Sequence, residues 1–291
     1  MKKYSIIAAL LLLTLFACRG PGVRDAPEER TVYIVYTDWA ESVALTSLVH
    51  LLLEEHLGYR VVTRLAGIDT VFMDIASGRA DIFVDAWIPH THKHYLEQHE
   101  GEFEDLGPNY HGARTGLVVP EYMAVESIPA LRDYYTGPIV GIDTTAGIMR
   151  NTIMALQAYE LENELLVLSD PEMAERLGWH IRRRENVVIT GWEPHWLMHR
   201  YDLKFLDDPL EIYMQQESIH TIGRKGFSDQ RPAATEMLKR MVLGERLINE
   251  LIYKAQRHDD PYEGVSEWIR ENEFIVNQWL RGLRPEREKI M

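Results

Sequence analysis

The sequence predicts an α/β protein of two lobes that face one cleft, and two observations lead to this fold class. The first is a short pattern that occurs twice, as VDAWIPH at residues 84–90 and as ITGWEPH at residues 189–195. The second is the alternation of β-branched runs with segments of helical periodicity around both copies. A chain of 291 residues is long enough for about two domains.

Each copy of the pattern indicates a buried strand that ends at a Trp-x-Pro-His turn. Proline fixes φ and has no N–H to donate to a further ladder bond. Trp87 and Trp192 therefore lie at strand ends, the edge at which open α/β sheets bind ligands. Two ordinary core aromatics are the alternative interpretation, but the repeated context favours a ligand site.

The first lobe follows a β-α-β-α-β order. Residues 31–36 predict a strand that runs into Trp39, and residues 40–57 predict a helix that Gly58 terminates. A strand at 59–65, a short helix at 69–76 and a strand at 81–85 complete the series. By the right-handed crossover rule this order gives a parallel sheet with Trp39 and Trp87 on the same edge.

The second lobe repeats the alternation. The apolar run 116–120, after a loop rich in Gly, Pro and Asn, predicts a strand that crosses into this lobe, and 219–222 predicts the strand that returns. Between them the sequence predicts a strand at 139–142, a helix at 149–161 and a strand at 187–190. We therefore assign residues 31–115 plus 223–291 to lobe 1 and residues 116–222 to lobe 2. Helices predicted over 232–283 pack back on lobe 1, with Trp268 and Trp279 in the core.

The N-terminal segment has the features of a bacterial lipoprotein leader. Residues 1–17 predict a signal peptide, because two lysines precede an apolar run too short to span a bilayer. Cys18, the single cysteine, follows Leu15-Phe16-Ala17 in a lipobox-like sequence. Residues 18–30 then form the lipidated cysteine and a tether. We expect a protein anchored by lipid at the periplasmic or extracellular face of a bacterial membrane; an uncleaved helix ending in Cys is the alternative.

Charge excludes one class of partner, and the tryptophans indicate another. A net charge of −14 argues against binding to nucleic acid, which requires a basic face. Trp39, Trp87 and Trp192 can form an aromatic cage for a quaternary ammonium, a cation with no hydrogen to donate. The Gly147 and Ile148 amides, at the start of a predicted helix, can hold a carboxylate of the same ligand.

Five segments, in order and across nearly the whole mature chain, resemble the glycine betaine/proline betaine-binding proteins of ABC importers. They are YTDWAESVALT (36–46), VDAWIPHTHKHY (84–95), GPNYHGARTGLVVP (107–120), GIDTTAGIM (141–149) and ITGWEPHWLMHRYDLKFLDDP (189–209). The resemblance implies a two-lobed periplasmic-binding-protein fold, type II-like. Each lobe is then a mostly parallel sheet flanked by helices, and crossing strands form the hinge. The resemblance also implies a membrane permease and its ATPase as partners.

The resemblance further assigns the site. It places the cage on Trp39, Trp87 and Trp192, the carboxylate-binding amides on Gly147 and Ile148, and the carboxylate-binding histidine on His92. Choline-preferring relatives carry a further cage tyrosine near the crossing strand. Residues 113–116 offer none, which favours a betaine over choline.

Two other classes of function compete with this one, and a metal-binding protein is the stronger of them. His90, His92 and His94 alternate as in a transition-metal site, which would make the chain a metal-binding lipoprotein. This reading leaves the three tryptophans unexplained. No nucleophile-elbow or Ser-His-Asp pattern surrounds a serine, so we predict neither an enzyme nor a cofactor.

Overall fold

The computed structural model describes residues 30–213 and 216–283. Within these ranges the strands are β1 Thr31–Tyr36, β2 Arg60–Leu65, β3 Ile82–Ile88, β4 Phe103–Pro120, β5 Ile139–Gly141, β6 Leu165–Val167, β7 Val188–Glu193, β8 Leu203–Phe205 and β9 Glu217–Arg224. The α-helices are α1 Ala40–Leu51, α2 Ile68–Ala76, α3 Lys93–Gln98, α4 Leu131–Tyr134, α5 Gly147–Ala158, α6 Asp170–Arg183, α7 Leu197–Arg200, α8 Phe227–Gln230, α9 Pro232–Arg240, α10 Glu245–Gln256, α11 Pro261–Glu271 and α12 Glu273–Trp279.

The strands form one sheet in the order β2-β1-β3-β9-β4-β7-β5-β6, with β8 paired to β4. In its first half β1 is parallel to both β2 and β3, which confirms the predicted β-α-β-α-β unit. In its second half β5 is parallel to β6 and β7. We call the first half, with its helices, lobe 1 and the second half lobe 2. The strand β4 belongs to both.

The strand β4 is much longer than predicted. Its first part pairs with β9 in lobe 1, and its last part pairs with β7 and β8 in lobe 2. The expected loop before residue 116 is instead an irregular strand, because its Gly and Pro residues lie where the pairing with β9 shifts register. These shifts lie between Asp105 and Ala113, where Gly107 and Gly112 have φ of 106° and 90°. This strand therefore carries the chain from one lobe to the other.

The return strand β9 lies wholly among lobe 1 strands. It pairs antiparallel with β3 and with β4, beginning at Glu217. The predicted boundary at residues 222 and 223 would divide this strand. The chain boundaries of the lobes stay a prediction, and the pairing favours a second crossing before Glu217.

The helices predicted at the C-terminal end pack on lobe 1. Tyr262 on α11 hydrogen-bonds to His50 on α1, with 3.0 Å between the tyrosine oxygen and Nδ1. Trp268 and Trp279 are buried and stacked at 6.3 Å between ring centroids, which confirms them as core residues. The first predicted helix ends earlier as α1 and continues as one π-helical turn, Leu52–His56, ahead of Gly58 at φ 73°.

Across 30–213 and 216–283, no helix has the length and apolar character needed to cross a membrane. The signal peptide at residues 1–17, the lipidated Cys18 and most of the tether at 18–30 lie outside the described residues.

Candidate functional site

A cavity with about 290 Å³ of free space, part of it open to solvent, lies between the two lobes. It is lined by all six residues that the sequence predicts for the ligand site, together with five that it does not. The lining residues are Trp39, Glu41, Trp87, Thr91, His92, Thr115, Ile142, Ala146, Gly147, Ile148 and Trp192. A ligand held there would touch both lobes.

The strand ends position the tryptophans. Trp87 and Trp192 are the last residues but one of β3 and β7, and each strand stops before its proline, as predicted. Trp39 occupies the turn between β1 and α1, as the residue that precedes the helix. The three side chains are only 3–5% exposed, although they line a cavity. The rings are therefore held by protein on the faces that do not meet the cavity.

Each indole N–H of this trio donates to a carboxyl oxygen. Trp192 Nε1 donates to Glu41 at 2.8 Å, Trp87 Nε1 to Asp85 at 3.0 Å and Trp39 Nε1 to Asp143 at 3.2 Å. Because each N–H already has an acceptor, the rings offer a ligand their carbon surfaces.

His92 presents one hydrogen-bond donor to the cavity. Its Nδ1 accepts the backbone N–H of Trp87 at 3.0 Å, so the neutral ring carries its proton on Nε2. The side chain is fully buried, and Nε2 has no hydrogen-bond partner among the described residues. Burial, with the nearby positive charges of His94 and Arg150, lowers the pKa of His92 to about 3. His92 is therefore a neutral donor at physiological pH.

The start of α5 offers backbone donors on the opposite lobe. Asp143 Oδ1 accepts the backbone N–H groups of Thr145 and Ala146, each at 3.1 Å, and so fixes the turn before the helix. Gly147 and Ile148 are the first two residues of α5, where N–H groups lack the usual intrahelical acceptor. A Cβ on Gly147 would lie 2.5 Å from the Thr91 backbone oxygen, so only glycine allows this contact between the lobes.

The sequence predicted no ligand-site role for two acids that are buried at this site. Burial and the negative charge of Asp85 raise the pKa of Glu41 well above its ordinary value, against the hydrogen bond from Trp192. Burial likewise raises the pKa of Asp85, against hydrogen bonds from Trp87 and Ser42. Glu41 precedes Ala44, Leu45 and Leu48 at helical spacing, so its place on the apolar face was readable from the sequence.

The alternating histidines do not converge on a metal site. His92 faces the cavity, whereas His94 Nε2 lies 2.6 Å from Arg150 and its ring packs on Tyr95. In the part of the chain that the structure describes, no group of three or more His, Cys, Asp or Glu side chains is arranged to hold a metal ion. The transition-metal alternative thus has no structural support.

Sequence comparison identifies related transport proteins. A family described as the substrate binding domain of ABC-type glycine betaine transport systems (OpuAC) matches residues 30–271. The glycine betaine/carnitine transport binding protein GbuC of Listeria monocytogenes is 36% identical over 174 residues. That match covers 59% of this chain and 57% of GbuC, so the chain spans little more than half of that relative.

Structural comparison gives the same result. Lactococcal OpuAC, in a closed-liganded conformation complexed with glycine betaine, has a TM-score of 0.82 and 33% identity, over 87% of this chain and all of that chain. A glycine betaine, L-proline-binding protein (ProX) from Borrelia burgdorferi has a TM-score of 0.81 and 32% identity, over 88% of this chain and 97% of its own. These similarities confirm the predicted two-lobed binding-protein fold.

Proposed function

We propose that this chain, which belongs to the family of substrate-binding domains of ABC-type glycine betaine transport systems, captures a betaine-type solute between its lobes for an ABC importer. Glycine betaine and proline betaine are the leading candidates. One observation carries the proposal: indole rings and hydrogen-bond donors from both lobes line the same cavity.

The indole rings suit the cationic end of such a ligand. A trimethylammonium group is held by π faces, and each desolvated contact contributes roughly 1–2 kcal/mol. Trp39 and Trp87 approach from lobe 1 and Trp192 from lobe 2. Thr115, paired with Trp192 across β4 and β7, lines the cavity near the crossing strand without adding a fourth aromatic ring. This favours a betaine over choline.

The donors suit the anionic end. His92 Nε2 and the Gly147 and Ile148 amides can hold a carboxylate, and the α5 N-terminus adds partial positive charge. Hydrogen bonds to a charged group contribute about 1.5–3 kcal/mol each. The cavity therefore offers complementary groups to both ends of a zwitterion.

The size of the ligand requires such enclosure. Glycine betaine has about eight non-hydrogen atoms, and small ligands gain at most about 1.5 kcal/mol per atom, which sets a ceiling near 12 kcal/mol. Micromolar affinity needs about 8 kcal/mol. Contacts from both lobes are necessary to reach this value, so the bound solute stabilises the closed state.

The partners follow from this role. We propose that the closed protein delivers its solute to a membrane permease driven by an ATPase, and that it acts outside the cytoplasm as a binding component rather than an enzyme. The lipid anchor at Cys18 belongs to the same proposal, and mass spectrometry of the membrane-extracted protein tests it through the mass of the diacylglyceryl group.

Titration calorimetry with glycine betaine, proline betaine, carnitine and choline tests the proposed function. We expect glycine betaine or proline betaine to bind most tightly. Trp87→Ala and Trp192→Ala should each lower that affinity by at least about thirtyfold, because a desolvated cation–π contact is lost. Trp→Phe at the same positions should have a much smaller effect.

Trp179→Ala is the matched control, since Trp179 is 42% exposed on α6 and lies outside the cavity. Its affinity should equal that of the unmodified protein. Normal betaine binding by both cage alanine variants would contradict the proposed site, and the absence of binding by the unmodified protein would contradict the proposed function.

A further inference from the structure

Carboxyl groups accept the N–H of all three cage indoles. Glu41, Asp85 and Asp143 each accept one indole N–H, and we call these three residues the carboxyl shell. The core residue Trp268 differs, because its Nε1 donates to the neutral backbone oxygen of Leu247. Acidic acceptors thus distinguish the three cage indoles from Trp268.

We propose that the carboxyl shell supplies the negative charge that makes the cage select a cation over an uncharged group of the same shape. The inference rests on the proposed function and deepens it, because it concerns how the same cavity recognises its ligand. It assigns the shell a role in specificity beyond holding the rings in place.

The geometry supports a direct electrostatic role. Glu41 itself lines the cavity while it accepts the Trp192 N–H, so its charge lies close to any group held by the rings. A carboxylate bound at the indole N–H also places negative charge at the edge of the ring, where its Coulomb attraction adds to that of the π face for a cation. Among the described lining residues none is Lys or Arg, so a bound cation would meet no repulsion from them.

The surroundings of Glu41 make its ionisation sensitive to a cation. Asp85 on β3 and Asp170 on α6 both raise its pKa, and the buried carboxyls repel one another. Asp170 also hydrogen-bonds to His195, while His92 shares the cavity with Glu41. A cation in the cage would compensate for the loss of hydration and for the mutual repulsion of the carboxylates, and so favour the ionised forms of Glu41 and Asp85. An uncharged ligand would not.

This coupling gives a pH dependence with a defined sign. The ratio of the two affinities does not depend on the protonation of the ligand-free protein. It depends only on the protonation of the two complexes. The pKa of Glu41 and Asp85 is lower in the complex with the cation than in the complex with a neutral analogue. The ratio of the two affinities therefore rises with pH between these two pKa values and is constant outside them.

The experiment compares glycine betaine with 3,3-dimethylbutyrate, which keeps the carboxylate and replaces the ammonium nitrogen by carbon. Calorimetry over a series of pH values at which the protein stays folded should show a preference for betaine that increases with pH. Glu41→Gln and Asp85→Asn keep an acceptor oxygen for the indole but remove the charge. Each should lower the preference by about tenfold or more and flatten its pH dependence.

Glu160→Gln, at a side chain 82% exposed on lobe 2, is the control and should leave the preference unchanged. The inference is overturned if the amide variants bind glycine betaine with the unmodified preference. It is also overturned if they weaken both ligands equally, since that result means that the shell only orients the rings. Absence of betaine binding by the unmodified protein would instead contradict the proposed function.

Discussion

His92 is held in one orientation and one tautomer by its neighbours. Its Nδ1 accepts the Trp87 N–H, its ring lies 6.0 Å from that of Trp39, and Phe72 packs edge-on at 5.4 Å between centroids. The donor that remains, Nε2–H, is therefore positioned before a ligand arrives. A preorganised donor of this kind loses little conformational entropy on binding.

We predict that His92→Ala weakens glycine betaine binding by about tenfold or more, because a hydrogen bond to a charged group is lost. Any binding of choline, which has no carboxylate, should change little. Calorimetry with both ligands checks this prediction. His258→Ala is the control, since His258 lies between α10 and α11 and faces Glu263 instead of the cavity. An equal loss for both ligands in His92→Ala would remove His92 from its proposed role.

The same residue makes stability depend on pH. The pKa of His92 falls from an ordinary 6.5 to about 3 on folding, so the folded state disfavours the charged ring. This contribution to stability is complete above about pH 6.5 and is lost as the pH falls toward about 3, by up to about 1.4 kcal/mol per pH unit. In His92→Gln, urea unfolding at several pH values should show a shallower acid loss. An unchanged slope would mean that His92 is not buried as a neutral ring.

At the scale of elements, local chemistry made the β-α-β-α-β unit and the Trp-x-Pro stops predictable. β-branched runs, helical spacing and proline each act over a few residues, so one sequence suffices to read them. The strand β4 was predicted only in part, because pairing with β9 outweighs the local preference of Gly107, Pro108 and Gly112 for a loop.

The helix α6 was not predicted, although its start carried a readable signal. Ser169 accepts the N–H of Glu172, whose side chain in turn accepts the Ser169 N–H, and Pro171 occupies the first turn. This capping box is followed by Met173, Ala174 and Leu177 on a buried face. The omission mattered because α6 contributes Asp170 to the contact between the lobes.

The start of α5 gives a prediction about lobe closure. Gly147→Ala places a methyl group against Thr91 of the opposite lobe, while alanine favours the helix itself. We expect unchanged or higher resistance to urea but about tenfold or more weaker glycine betaine binding, because overpacking disfavours the closed state. Calorimetry and denaturation measure the two effects.

Gly244→Ala is the control for this change. Gly244 also stands at a helix start, before α10, and a Cβ there meets no atom within 4 Å. Its betaine affinity should match that of the unmodified protein. Equal affinity for Gly147→Ala would show that the Thr91 contact does not limit closure.

At the scale of the whole molecule, the contacts that close the cavity join residues far apart in the chain. Trp192 bonds to Glu41, Trp39 to Asp143, and Tyr95 to the Thr145 backbone oxygen. The first two pairs are separated by 151 and 104 positions. No local pattern encodes such pairings. The sequence and its family resemblance therefore predicted which residues line the site, but not which carboxyl holds each ring.

Asp170 joins the lobes without lining the cavity. A substitution there therefore changes the closure of the lobes without removing a contact to the ligand. Its carboxylate accepts the Ala40 N–H of lobe 1 at 3.0 Å and lies 3.0 Å from His195 Nε2 in lobe 2. We predict that Asp170→Ala weakens glycine betaine binding by about tenfold, mainly through faster dissociation, because the closed state loses a buried carboxyl acceptor. Stopped-flow tryptophan fluorescence measures that rate.

Ser169→Ala, at the residue before Asp170, is the control. It removes only the α6 cap and should lower unfolding stability by about 1 kcal/mol with unchanged affinity. Equal dissociation rates in the two variants would show that the Asp170 contacts do not hold the lobes closed.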